Sequence, residues 1–211
     1  MEGATMGRAA SRSPAAFFDT GVLKWGIKST REIDARQDPD QKKAWIKAQV
    51  RAVGLLVEAA RHAKLTICHE VESVVEMMHS TNAMASKRIN ALLAGVSLKG
   101  IPSPFEHSRL LAGFGVTKES ADKDREEMLD FAIANYPRMK EIHEAIGGNK
   151  KADAYHIWAA ESAGVDFFVS MDEKLVNSVR HQKKIRFRTE ILYPAELVNQ
   201  LVFEGTGFAE R

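Results

Sequence analysis

Acidic residues occur in this sequence where predicted strands end or predicted helices begin. Asp19 follows the apolar run "AAFF", and Asp172 follows the apolar run "VDFFVS" by two residues. Asp153 lies in the first turn of a predicted helix, and Glu72 or Glu76 lies early in the helix after "KLTIC". Carboxylates that meet at one place repel each other unless a cation lies between them, and Mg²⁺ prefers oxygen ligands. The pattern therefore predicts a site for a hard divalent cation.

The elements that must position these acids follow an alternating pattern. Apolar runs predict strands at "AAFF", "KLTIC", "VDFFVS" and "KIRFRT", and helical spacing of apolar residues fills much of the chain between them. Strands that alternate with helices favour a parallel sheet covered on both faces. The sequence thus predicts a three-layer α/β/α sandwich with a central parallel sheet, in which sites form at the carboxyl ends of the strands.

Composition narrows the function classes. The 211 residues carry a net charge of +2, so a nucleic-acid role would depend on local patches of charge. The single cysteine, Cys68, excludes an internal disulfide and a thiolate zinc site, and it favours a reducing cytoplasm. No apolar run approaches the roughly 20 residues that span a bilayer, so we expect no membrane partner.

Other chemistries fit single stretches of the chain less well. "DTG" at 19–21 is also found in aspartic proteases, but their fold is nearly all β, unlike the pattern here. A phosphatase of the haloacid-dehalogenase type needs a second Asp where Gly21 stands. A zinc-protease motif beginning at His69 would need histidine where Ser73 stands.

Each acid also has a purely structural interpretation. Asp19 and Asp172 could cap the helices that follow them, and Asp153 could complement a helix dipole. Glu72 and Glu76 could be solvent-facing helix residues. The joint placement of these acids is what favours a shared site over separate structural roles.

The C-terminal part of the sequence resembles the PIN-domain ribonucleases. The family pattern is an Asp that opens a helix, a Gly-x-Asp turn, an apolar strand, and then Thr/Ser-x-Asp-x-x-Leu. The matching stretches are "DAYHI" at 153–157, "GVD" at 164–166 and "SMDEKL" at 170–175. "FFDTGVL" at 17–23 is similar to the family's first-strand motif.

The resemblance implies a set of site residues. Asp19, Asp153 and Asp172 would hold Mg²⁺ or Mn²⁺, and Glu76, or else Glu72, would complete the site. Ser170 would take the place of the family's Thr or Ser, a hydroxyl that supports the acids. His156 is expected to pack behind the site and not to bind the ion.

The implied activity is endonucleolytic hydrolysis of RNA that leaves a 5′-phosphate. Many family members are toxins, so an antitoxin protein is an expected partner. The choice between a monomer and a homodimer stays open. Phosphate contacts would come from the basic run 180–188 or from Lys150 and Lys151, although such a run is also typical of a solvated surface. The alternative function is a catalytically inactive PIN-like module that binds RNA or protein.

The resemblance also predicts how the chain is organised. The composition of residues 1–14, which has no apolar h-region, predicts a flexible lead-in. The resemblance implies one PIN-like domain over residues 15–211. The stretch from about 80 to 134 is longer than a compact family member needs. We therefore expect a helical insertion there that serves as a lid or a partner surface.

Overall fold

Five short strands pair side by side in one parallel sheet. The computed structural model describes residues 12–70, 83–102, 118–147 and 150–203. The strand order across the sheet is β3-β2-β1-β4-β5, and every neighbouring pair is parallel. The strands are β1 (Ala15–Phe18), β2 (Thr66–His69), β3 (Lys99–Gly100), β4 (Phe167–Val169) and β5 (Glu190–Leu192).

Helices connect the strands, and nine of them fall within the described ranges. Parallel neighbours require such crossover connections, because each strand must start again at the same edge of the sheet. The helices are α1 (Thr20–Gly26), α2 (Thr30–Asp34), α3 (Asp40–Arg61), α4 (Ala83–Leu92), α5 (Lys118–Asn135), α6 (Pro137–Ile146), α7 (Lys151–Ser162), α8 (Glu173–His181) and α9 (Pro194–Phe203).

Apolar side chains of the strands alternate between two buried clusters, one on each face of the sheet. Phe17 and Phe168 stack at 5.3 Å in the cluster formed with α6, α7 and α8. Phe18 and Val169 belong to the other cluster, formed with α1, α3 and α9. Each face therefore buries apolar surface against helices, as the predicted α/β/α layering requires.

The prediction of a strand at 184–189 is wrong, because β5 begins only at residue 190. Side-chain groups bind the main chain of this segment in place of a neighbouring strand. The Gln182 side-chain oxygen accepts two main-chain N–H bonds from the segment, at 2.8 and 3.0 Å. Glu161 accepts another from Arg188 N–H at 2.7 Å. The alternation of apolar and basic residues there is not that of a sheet strand.

The stretch predicted as a helical insertion also contributes to the sheet. Its described parts include α4 and α5, which are helical as expected. However, β3 lies between them and pairs with β2, through Cys68 opposite Lys99. A two-residue strand is too short to show as a pattern in the sequence.

The end of the predicted lead-in is attached to the domain. The Ser13 hydroxyl donates to the Ala63 carbonyl at 2.6 Å, and the Pro14 carbonyl accepts from Thr66 N–H at 2.8 Å. Arg12 forms an ion pair with Asp166 at 2.9 Å. Residues 1–11 lie outside the described ranges. In the described parts of the chain, no helix has the length and apolar character needed to cross a membrane.

Candidate functional site

One buried hydroxyl joins the carboxyl ends of the neighbouring strands β1 and β4. Phe18 and Val169 are register partners, so Asp19 and Ser170, the residues that follow them, lie side by side. The Ser170 hydroxyl donates to Asp19 Oδ2 at 2.9 Å and accepts from the main-chain N–H of Asp172 at 3.0 Å. Ser170 is completely buried. It therefore fixes the Asp19 carboxylate against the loop that carries Asp172.

The structure does not support the interpretation of Asp19 as a helix cap. Asp19 precedes α1, but its side chain makes no capping hydrogen bond to that helix. Its carboxylate accepts instead from Ser170, which follows the neighbouring strand β4. The sequence could not separate these two roles, since both place an acid directly before a helix.

Asp172 does cap a helix. Its Oδ1 atom accepts from the N–H groups of Lys174 and Leu175, at 2.7 and 3.0 Å, at the start of α8. These bonds hold an exposed carboxylate in a fixed orientation at the edge of the sheet. A capping role and a role in the site are compatible, because both capping bonds end on the same oxygen.

Asp153 lies in the first turn of α7 and has a perturbed acidity. Burial, together with the nearby Asp19 carboxylate, raises the pKa of Asp153 to about 6. Asp172 raises this pKa further, whereas His156 and Lys150 oppose the rise. Perturbed acids of this kind are common at functional sites. Because the charges of Asp19 and Asp172 both act on Asp153, these two carboxylates lie within electrostatic range of it.

The described residues nevertheless contain no group of three or more acidic, histidine or cysteine side chains that is close enough to hold a metal ion. Carboxylates that lie near one another repel, and a cation bound between them would remove this repulsion. Glu72 and Glu76, the predicted fourth acids, lie outside the described residues.

Sequence reasoning missed one acid at this edge of the sheet, Glu70. It directly follows β2, just as Asp19 follows β1, and the register of these strands places the two residues side by side. The Glu70 side chain is fully buried, and its Oε1 lies 3.0 Å from Nδ1 of His156. The position directly after "KLTICH" was the signal that could have revealed it.

A further acid of the C-terminal motif, Asp166, lies at the opposite end of the strands. Its carboxylate accepts from Ala15 N–H at 2.8 Å and pairs with Arg12. It therefore anchors the start of β1 beside the start of β4 and is no part of the candidate site. The preceding turn depends on Gly164, whose φ of +63° lies in the left-handed region.

Asp153 should reduce stability at neutral pH, and Asp153→Asn tests this. The pKa of Asp153 in the folded protein lies above the ordinary value of 3.8. Between about pH 4 and 6, the folded protein therefore keeps a proton on this carboxyl group that the unfolded chain has released. Stability contributed by the neutral acid is therefore lost as the pH rises through about 6. We expect Asp153→Asn without metal to gain about 2 kcal/mol at pH 7.5, and about 4 to 8 °C in Tm.

The gain in Tm should vanish below about pH 4, where Asp153 is neutral in both states. Asp166→Asn is the matched control, since it removes a carboxylate that accepts a main-chain bond, and it should lower stability by about 1 kcal/mol. Thermal melts of the three proteins from pH 3.5 to 8 provide the measurement. A lower Tm for Asp153→Asn at pH 7.5 would contradict the perturbed acidity.

The basic residues predicted to contact phosphate are in different situations. Lys151 is held by Asp130 and Glu126 of α5, at 2.6 and 2.5 Å, and these bonds raise its pKa. Within the described part of the chain, the buried Lys150 ammonium has no hydrogen-bond partner. Arg180 pairs with Glu196 at 2.5 Å.

The basic run 180–188 begins close to the acids. The Arg180 guanidinium lies 5.0 Å from the ring centroid of Tyr193, which directly follows β5 at the same edge of the sheet. Asp172 is near enough to contribute to the raised pKa of the Tyr193 phenol, whose main cause is burial. Further along the run, the basic residues are exposed: Lys183, Lys184, Arg186 and Arg188.

Comparison with known proteins adds no identification to this geometry. No family model, no curated protein and no solved structure matches the chain.

Proposed function

We propose that this protein is a divalent-cation-dependent endoribonuclease of the PIN type. The observation that carries the proposal is the linked set of acids at the carboxyl edge of the sheet. Asp19 is bonded to Ser170, Ser170 is bonded to the main chain of Asp172, and the acidity of Asp153 responds to both aspartates. This set combines with the sequence motifs that resemble the PIN-domain ribonucleases.

The chemistry of the donor groups fits Mg²⁺ or Mn²⁺. Asp19, Asp153 and Asp172 would hold the ion through carboxylate oxygens, which hard divalent cations prefer. When bound, such an ion lowers the pKa of a water and stabilises negative charge on a phosphoryl oxygen. The cost of placing these carboxylates near one another supports an ion-binding role, since a cation would remove it.

The protein's own residues would prepare the site before RNA arrives. Ser170 fixes one oxygen of Asp19, and the start of α8 fixes one oxygen of Asp172. Below about pH 6, a proton competes with the cation for the Asp153 carboxylate. At cation concentrations below saturation, activity should therefore decline as the pH falls through this range.

RNA would reach the site across the surface that starts at Arg180. This side chain lies beside Tyr193 at the edge of the sheet, and the exposed cations of 183–188 continue from it. Basic side chains position a nucleic acid through its phosphates and carry no sequence information by themselves. The toxin role, the antitoxin partner and a homodimer remain predictions that rest on the resemblance alone.

RNA cleavage tests the proposed function directly. Labelled single-stranded RNA should be cut internally when Mn²⁺ or Mg²⁺ is present, and EDTA should abolish cutting. The downstream product should carry a 5′-phosphate, detected by its ligation to an adaptor. RNA that is bound but never cut, with either ion, would favour the inactive binding module and would refute the enzyme proposal.

A further inference from the structure

A buried carboxylate–imidazole pair lies directly behind the candidate site. Glu70 and His156 are 1% and 2% exposed, and Glu70 Oε1 lies 3.0 Å from His156 Nδ1. The two groups lie within ion-pair distance, and the pair is charged when the imidazole is protonated. The imidazole also packs on Phe17 of β1, with the ring centroids 5.8 Å apart.

Packing alone does not account for this pair. Moving charged groups out of water is costly, and apolar side chains of similar volume often stabilise a core at least as well as a buried ion pair. Phe17 and Tyr155 already pack on the imidazole with apolar surface, each with its ring centroid 5.8 Å away. A polar pair at this place is therefore better explained by what it positions.

The pair connects the end of β2, which lies beside Asp19, to α7, the helix that carries Asp153. Phe17 and Cys68 are register partners and belong to the cluster beneath α7. Two residues further along each strand, Asp19 and Glu70 face the same side of the sheet. His156 lies three residues after Asp153, so both lie on one face of α7. The contact thus joins the tip of β2 to α7 one turn after Asp153.

We propose that Glu70 is a positioning residue that, through His156, holds the first turn of α7 and thereby sets Asp153 opposite Asp19. Without this contact, repulsion between the two aspartates would push the start of α7 away from the sheet. Its role in binding the ion rests on the proposed function, whereas its role in holding Asp153 near Asp19 does not.

Glu70→Gln separates positioning from packing, because it keeps the size of the side chain and removes its charge. Glu58→Gln is the matched control. Glu58 pairs with His62 at the same distance of 3.0 Å, but on the exposed surface of α3. If Glu70→Gln does not fold, Glu70→Asp replaces it, since the shorter side chain draws the carboxylate away from His156.

The first measurement is the Kd for Mn²⁺ by titration calorimetry. Loss of a residue that orients ligands typically weakens metal binding 10- to 100-fold, and we expect at least about a tenfold increase in Kd for Glu70→Gln. Glu58→Gln should bind like the wild type. Unchanged Mn²⁺ affinity in a folded Glu70 variant would overturn the role in ion binding.

The second measurement needs no metal. Asp19→Asn and Asp153→Asn should each raise the Tm, and together they should raise it by less than the sum, because both relieve the same repulsion. In the Glu70 variant the two gains should become additive. If the two Tm gains fall short of additivity in the Glu70 variant as much as in the wild-type background, the positioning role is overturned. This test holds even if the protein binds no Mn²⁺ and the proposed function fails.

Discussion

Asp153→Asn is expected to reduce RNA cleavage at least about 100-fold while the domain remains folded, a loss equivalent to about 2.7 kcal/mol of transition-state stabilisation. The neutral amide cannot supply the negative charge that a hard cation requires. The same change should raise Tm in the absence of metal, because burial and Asp19 disfavour the ionised acid. Initial rates at saturating Mn²⁺ give the change in cleavage, and thermal melts without metal give the change in Tm.

Asp166→Asn is the control for this prediction. It makes the same chemical change in the same motif-rich part of the chain, but at the opposite end of the strands, where Asp166 binds Ala15 and Arg12. It should keep its cleavage rate at a temperature where it is fully folded. Equal cleavage by the Asp153 variant and the wild type would remove Asp153 from the site.

Arg138→Met is expected to produce the largest loss of stability, about 3 to 5 kcal/mol, and a fall in Tm of about 10 °C. The Arg138 guanidinium binds both carboxylate oxygens of Glu161, at 2.7 and 2.8 Å. It also donates to the Arg186 carbonyl at 2.8 Å. The Glu161 side chain is 1% exposed, so its charge would stay buried with no cation beside it and only the Arg188 N–H as a partner. Chemical denaturation is the appropriate measurement.

Two variants control the Arg138 prediction. Arg88→Met breaks a similar two-point contact with Glu32 on the surface, and it should cost much less stability because solvent screens the pair. The double variant Arg138→Met/Glu161→Met should recover much of the loss, because it removes the unpaired charge as well. A loss for Arg138→Met no larger than for Arg88→Met would contradict the importance of the buried pair.

The parts of the fold that the sequence predicted have strong local patterns. The apolar run around Phe168 gave β4, and the helical spacing across 41–62 gave α3 within a residue or so at each end. The segment 184–189 was misassigned, because partners distant in sequence decide its conformation. Glu161, from α7, takes a main-chain bond there that no local pattern predicts.

The site was partly predictable for the same physical reason. Acids placed after strands must reach one edge of a parallel sheet, so the neighbourhood of Asp19, Asp172 and Asp153 followed from their placement. The Glu70–His156 contact did not, since it depends on strand register and on the packing of α7. The two bonds of Ser170 likewise depend on how β1 and β4 align.

The central claim is that one cation is held by Asp19, Asp153 and Asp172, and anomalous diffraction tests it most directly. Crystals grown with Mn²⁺ and measured at the manganese absorption edge should show one strong anomalous peak bounded by these three carboxylates. The peak should be absent from crystals of Asp153→Asn. Wild-type crystals with bound Mn²⁺ elsewhere and none among the three aspartates would contradict the account.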